Sequence, residues 1–304
     1  MATPGRKPPD PLPQAGPRRT SVVVFPFDCF GGSGAGAGAE LIADELREIV
    51  ADNRREMVPT RADAYTRKFR IKEYTFDNLV ALHAWRTTGR QAARPLLDNA
   101  PQDFFLWLGG SHIAALPVYE EAVRQTGTVI LQLDAHLDIH HFASCSPLPT
   151  HGNFIRHIER PDDHPEKEPF RIVHLGHRDL LLPKAEIDQF YHRTHSAIEF
   201  AQRREGVLAE IEGSLAGAER ILLDIDCDVF DPAYFPATGR PVPGGLSPMD
   251  VLRVFGCIPL EKLAGVVLSE FDPGRDQTDR SLGLVVWLLE AILLARHELR
   301  WTPH

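Results

Sequence analysis

Two short segments concentrate residues able to hold a cation. In LQLDAHLD (131–138), Asp134, His136 and Asp138 follow an apolar run, and in ILLDIDCDVFDP (221–232) Asp224, Asp226 and Asp228 alternate with Ile225 and Cys227. Successive side chains of an extended strand point to opposite faces, so every second residue shares a face and each segment is expected to bring its acids together. Carboxylates packed this way repel one another and resist ionisation unless a cation neutralises them. Asp134, Asp138, Asp226 and Asp228 carry four negative charges, which two divalent ions would balance. A carboxylate-rich donor set with few imidazoles suits a hard or borderline ion such as Mn2+, with Ni2+ or another divalent ion compatible, and Cys227 alternates away from the acidic face. Taken singly, a strand-end aspartate has a plainer reading as a helix cap or a solvated loop residue. The two segments together argue against it.

These residues need elements to position them. SVVVFPF (21–27), FFLWL (104–108), VILQL (129–133), RIVHL (171–175), RILLDI (220–225) and AGVVLS (264–269) are compact apolar runs, most of them followed by helical stretches. Continuous apolar runs suit strands covered on both faces, which predicts an α/β domain with a parallel sheet between helix layers. In such sheets ligands bind outside the carboxyl ends of the strands, where both acidic segments fall. After the first run, a Gly-rich turn (31–38) leads into a helix whose Leu41, Ile42, Leu46, Ile49 and Val50 repeat near the 3.6 period. Gly34, Gly36 and Ala39 fit a loose G-x-G-x-x-A, an alternative dinucleotide-binding reading weakened by the lack of a clear acidic residue closing a second strand.

The chain of 304 residues, 43% of them hydrophobic, is long enough to bury a large core, so no disulfide framework or structural zinc is required. Residues 1–20 hold six prolines and almost no apolar side chains, which predicts a disordered tail ahead of a single domain over 21–304. A formal charge of −9 offers no basic field for nucleic acid. Four cysteines without a CxxC pair, and no secretory h-region, predict a reducing cytoplasm. The apolar stretch 282–295 is interrupted by Glu290 and falls short of the roughly 20 residues that span a bilayer, so no membrane partner is expected.

Five blocks in order, LGGSH (108–112), LDAHLD (133–138), HG (151–152), DIDCDVFDPAYFPATGRPVPGGLS (224–247) and SEFDP (269–273), resemble the signature blocks of the ureohydrolase family of arginases, agmatinases and formiminoglutamases. FPFDCFGGSGAGAGAELIADEL is similar to the family's opening segment, and the resemblance covers roughly 21–295. It implies a three-layer α/β/α domain with a central, mostly parallel sheet of about eight strands, a binuclear manganese site, and a homotrimer or homohexamer. One metal would take His112, Asp134, Asp138 and Asp226, and the other Asp134, His136, Asp226 and Asp228. The reaction implied is attack by a metal-activated hydroxide on the carbon of a small guanidino or formimino substrate. Asp138 would hold the nucleophile, Glu270 the guanidinium, and His151, 13 residues after Asp138, would deliver the proton to the leaving amine.

Several positions depart from the family pattern. Ser111 stands where an acidic residue is common, and Asp224 where a small polar residue is usual, so Asp224 is expected to bond a neighbouring backbone amide and not a metal. The loop IHHFASCSPLPT (139–150) lacks the Asn and Ser pattern with which arginases hold an α-carboxylate, and Leu181 occupies the position of their ammonium-binding Asp. HGNFIRHI resembles an agmatinase block. The resemblance therefore implies an agmatinase-like hydrolase and disfavours an arginase. His140, His141 and His177 fall in or beside segments expected to rim the pocket. The altered positions leave one non-enzymatic alternative, a metal-binding regulatory protein on the same fold.

Overall fold

The computed structural model describes residues 16–28, 34–99, 103–141, 148–162 and 169–301. In chain order its elements are β1 (Thr20–Phe25), α1 (Ala35–Arg55), α2 (Asp63–Thr66), β2 (Phe69–Glu73), α3 (Leu79–Asp98), β3 (Phe104–Gly109), α4 (Leu116–Ala122) and β4 (Thr128–Leu133). There follow β5 (Phe170–His177), α5 (Lys184–Ile187), β6 (Tyr191–Ser196), α6 (Ala197–Ala216), β7 (Arg220–Asp226), α7 (Pro248–Phe255), β8 (Leu263–Ser269) and α8 (Arg280–Glu298).

Alternation along β1 shows how the layers arise. Val22 and Val24 enter one apolar cluster, with residues of α1, α6, α7 and α8, while Val23 and Phe25 enter another, with residues of α3 and α4. The same division runs through the neighbouring strands, so one sheet separates two helical layers. All eight strands pair in parallel, in the order β2-β1-β3-β8-β7-β4-β5-β6. The central strands β3, β4 and β8 are buried along their whole length, as their apolar runs require. The edge strands β2 (FRIKE) and β6 (YHRTHS) are polar and only partly buried, which is why no apolar run marks them.

Chain direction places β7 and β8, last in sequence, between β3 and β4. Four adjacent strands in the middle of the sheet thus end side by side, and all of them point their carboxyl ends the same way.

The first strand begins at Thr20, one residue before the expected domain boundary. Thr20 is buried and bonded to His297, and Arg19 pairs with Asp103, because the strand needs partners on both β2 and β3. Residues 1–15 of the proline-rich tail lie outside the described residues. The apolar C-terminal helix α8 packs on the sheet through Val285, Leu288, Leu289, Ile292 and Leu293. Among the described residues no helix is long and apolar enough to cross a membrane.

At the start of α1, Asp28 accepts hydrogen bonds from the amides of Gly34 at 2.9 Å and Gly36 at 3.2 Å. A carboxylate already holds the amides that a dinucleotide pyrophosphate would need, which removes that reading. Gly38 serves packing, since a Cβ there would collide with the carbonyl oxygen of Phe271 just beyond β8. Gly38→Ala is expected to lower stability by about 1–3 kcal/mol through overpacking. An unchanged denaturation midpoint would show that α1 is not seated on this carbonyl.

Candidate metal centre

The four central strands deliver the acidic segments to one place. His112 opens a short 3-10 turn (112–115) after β3, Asp134 follows β4 directly, Asp226 closes β7, and Glu270 follows β8 directly. Strand alternation accounts for Asp224 and Asp226 within β7, but not for the other acids, and this corrects the expectation. Asp134, His136 and Asp138 lie beyond β4, where the chain folds back on itself. There the His136 amide donates to Asp134 Oδ1 at 2.7 Å, the Leu137 amide to Asp179 at 2.9 Å, and Asp138 adopts a left-handed φ of 49°. Asp228 sits in a 3-10 turn and donates its amide to Asp226 Oδ1 at 2.8 Å. Cys227 turns into the apolar layer, away from the acids.

His112 is the centre of the first group. Its Nδ1 lies 3.1 Å from Asp134 Oδ2, 2.8 Å from Asp138 Oδ2 and 3.1 Å from Asp226 Oδ2, yet none of these oxygens forms a well-placed hydrogen bond with it. A lone pair and three buried carboxylates facing one point form a cation cage. His136 Nδ1 stands 2.9 Å from Asp228 Oδ2 and 3.8 Å from Asp134 Oδ1 in a second group. Two sets could each hold an ion, His112 with Asp134 and Asp226, and Asp134 with His136 and Asp228. Asp134 belongs to both, and each set is contained in one of the ligand sets expected from the sequence.

The electrostatics agree with a missing positive charge. Burial, followed by the charge of Asp138, pushes the Asp134 carboxyl well above its ordinary range, and burial with Asp228 and Asp134 does the same to Asp226. Burial alone would lower the pKa of His136, but Asp228 overcomes it and raises the imidazole to about 10. His112 is likewise held well above its usual value, burial being outweighed by Asp224, Asp134 and Asp138. Arg178 supports the site from behind, donating to the carbonyls of Asp228 at 2.6 Å and Val242 at 2.8 Å.

Asp224 does not bond a backbone amide as expected. Its Oδ2 lies 2.9 Å from His112 Nε2 and accepts from the Tyr119 hydroxyl at 2.5 Å. A carboxylate can only accept, so it keeps a proton on Nε2 and turns Nδ1 toward the cage. Ser111 is fully buried and its hydroxyl has no partner, while the Asp224 carboxylate reaches the His112 imidazole from β7, two strands away from β3.

A narrow cleft opens over the cage, lined by His112, His136, Asp138, His151, Asp226, Asp228, Gly239, Arg240 and Glu270. Glu270 takes a left-handed φ of 63°, fixed by its amide bond to Gly110 O at 2.9 Å, and accepts from the His112 amide at 2.7 Å. Burial raises its carboxyl to about 7, with the charge of Asp228 adding to the effect against the His112 hydrogen bond. His151 stands in a turn on the same cleft. His140, His141 and His177 do not line it; His140 faces Asp179, His141 faces Glu186, and His177 packs on His174. Leu181 is 95% exposed. Residues 142–147 of the segment IHHFASCSPLPT lie outside the described residues. Arg240 and Tyr119 went unnoticed in the sequence. Arg240 left one signal, a cation inside the Gly- and Pro-rich stretch ATGRPVPGG (237–245).

Ligation needs unprotonated imidazole nitrogens, so affinity for Mn2+ is expected to rise with pH up to about 10, where the raised His136 imidazole gives up its proton. Calorimetric titration in buffers of different ionisation enthalpy checks this, and metal binding without proton release would contradict the assigned cage. Asp228→Asn should reduce the metal bound per chain, and Asp224→Ala should weaken binding by roughly 10- to 100-fold while the fold persists by circular dichroism.

A model of the arginase family matches residues 18–295. Proclavaminate amidinohydrolase of Streptomyces clavuligerus is 30% identical over 178 residues, 57% of this chain and 55% of that protein. Guanidinopropionase of Pseudomonas aeruginosa is 28% identical over 179 residues, 56% of this chain and 54% of that protein, so the chain spans about half the length of the curated relatives it matches. Among solved structures, formimidoylglutamase of Bacillus subtilis superposes with a TM-score of 0.72 at 20% identity, covering 96% of this chain and 89% of that one. Arginase of Bacillus subtilis gives 0.71 at 21% identity, covering 90% of this chain and 98% of that one. With the sheet order and the matched span taken together, the chain belongs to the arginase family.

Proposed function

We propose that the protein is a metal-dependent hydrolase that cleaves a C–N bond of a small guanidino compound, releasing urea and an amine. The observation that carries this reading is the meeting, on one cleft, of two ligand sets sharing Asp134 with the carboxylate of Glu270. His112, Asp134, Asp138 and Asp226 would hold one divalent cation, and Asp134, His136, Asp226 and Asp228 the other, with Mn2+ favoured by the oxygen-rich donors. Bound together, two such ions supply Lewis acidity and a nucleophilic water near neutral pH.

The chain's own groups do the remaining work. Asp138, at the edge of the cage, accepts a hydrogen bond from the attacking water and fixes its approach. Glu270 pairs with the planar guanidinium and sets its carbon over the cage. Its backbone bond to Gly110 and its contact with the His112 amide hold that carboxylate still. As the C–N bond breaks, the leaving nitrogen needs a proton, and His151 on the wall of the cleft supplies it. Water adds its oxygen to carbon, urea departs, and the amine leaves protonated, so the reaction balances.

Free arginine is a poor match. Where the family pattern calls for a carboxylate to hold its α-ammonium, the chain has Leu181, an exposed apolar side chain outside the cleft lining. Compounds without an α-amino group remain, including formimino analogues.

Metal-loaded protein should release urea from at least one guanidino compound. Glu270→Gln should lower kcat/KM by roughly 10- to 100-fold with metal content unchanged, as loss of a charged pair predicts. His151→Asn should reduce kcat by about 100-fold or more and remove one limb of the pH profile. Absence of urea and formamide release from a full panel by protein shown to carry two ions per chain would sink the hydrolase reading.

A further inference from the structure

Among the described residues, Arg240 is the one lining residue of the cleft that carries a permanent positive charge. It faces a site crowded with acids, yet it makes no hydrogen bond or ion pair with any of them. The carboxylates that share the lining are engaged inward, Glu270 with the His112 amide, Asp228 with His136 and the Ala135 amide, Asp226 with the Asp228 amide, and Asp138 beside His112. Its backbone, in contrast, is well held. Two residues on the C-terminal side, Val242 O accepts from Arg178 at 2.8 Å, and three residues on the N-terminal side, Ala237 O accepts from the Asp272 amide at 2.9 Å. Farther along, Asp231 accepts from the Gly244 amide at 2.8 Å. A long cationic side chain on a pinned loop, exposed to solvent and unpaired, stands ready for an anion from outside the chain.

The charges on the cleft leave a place for that anion. Asp134, Asp138, Asp226 and Asp228 match two divalent cations, and Glu270 matches one guanidinium. Arg240 is left over. Carboxylates beyond the cage that could receive a cationic tail are already engaged: Asp179 with the Leu137 amide and His140, and Glu186 with His141 and Arg156. Leu180 and Leu181 are exposed and apolar. Among the described residues, Arg240 offers a partner for a distal negative charge, and the carboxylates just named offer none for a distal ammonium.

We propose that the substrate is a guanidino acid, whose guanidinium lies on Glu270 and whose carboxylate, at the far end of a short chain, pairs with Arg240. This rests on the hydrolase reading and narrows it, replacing an agmatine-type cationic tail with an anionic one and assigning Arg240 as the residue that selects it. A planar guanidinium grips a carboxylate through two parallel hydrogen bonds, so the pair fixes chain direction as well as charge.

The test compares three compounds of similar length: guanidinobutyrate, agmatine and butylguanidine, with anionic, cationic and neutral tails. The Mn2+-loaded wild-type protein should favour guanidinobutyrate in kcat/KM. Arg240→Gln should reduce its preference for guanidinobutyrate over butylguanidine by roughly 10- to 100-fold, mainly through KM. Arg240→Lys should restore part of it, and Arg240→Glu should turn the preference toward agmatine. Binding is measured separately from turnover by ligand-detected NMR with the same compounds. Agmatine cleaved as well as guanidinobutyrate, or a preference untouched in Arg240→Gln, overturns the assignment while the hydrolase reading stands. Urea from none of the three, together with Arg240-dependent binding of guanidinobutyrate, overturns hydrolysis and upholds the anion site. Neither turnover nor binding of guanidinobutyrate overturns both.

Discussion

Five buried carboxylates, Asp134, Asp138, Asp224, Asp226 and Asp228, surround two imidazoles at the carboxyl edge of the sheet, and their mutual repulsion is the constraint around which the site is organised. In a low-dielectric setting such a charge density is tolerable only if each oxygen has a partner. The chain provides many of them from its own backbone and side chains. The Ala135, His136 and Asp228 amides, together with Gln132, bond the acids, and Arg178 lies behind them. His112 Nδ1 and three carboxylate oxygens converge on one space, which the proposed function gives to a metal.

The sheet order makes this convergence feasible. His112 and Glu270 are separated by 158 residues, yet an amide of one bonds the carboxylate of the other because β3 and β8 are neighbours. Insertion of β7 and β8 between β3 and β4 turns three distant segments into one rim. Backbone at that rim leaves the strand conformation where the chemistry requires it. Asp138 and Glu270 both adopt positive φ, which side chains other than glycine rarely do without surrounding contacts to hold them. The strain turns the two carboxylates toward a common cleft.

The cleft has two ends of different character. Its floor is buried and acidic, and its outer lining carries the exposed Arg240. On the proposed reading, chemistry and selectivity are separated in space. Residues of the floor sit on strand ends, and those of the rim on connecting loops, which is the division of labour expected when one scaffold serves several substrates.

Much of this was legible in the amino-acid order. Apolar runs marked the central strands because burial on both faces demands them, and the acidic spacings marked metal chemistry because clustered carboxylates have no cheaper explanation. The edge strands β2 and β6 were not legible, since a half-exposed strand carries polar residues and looks like loop. Local alternation was also a poor guide to Asp134, Asp138 and Asp228, whose side chains are aimed by turns whose hydrogen bonds cannot be read from spacing. The sequence alone determined which residue types could bind a cation and that they end strands. Only the tertiary structure decided that Asp224 orients His112, and that Arg240 overlooks the cage unpaired. Those facts depend on which strands and loops become neighbours, and long-range packing, not local pattern, sets that.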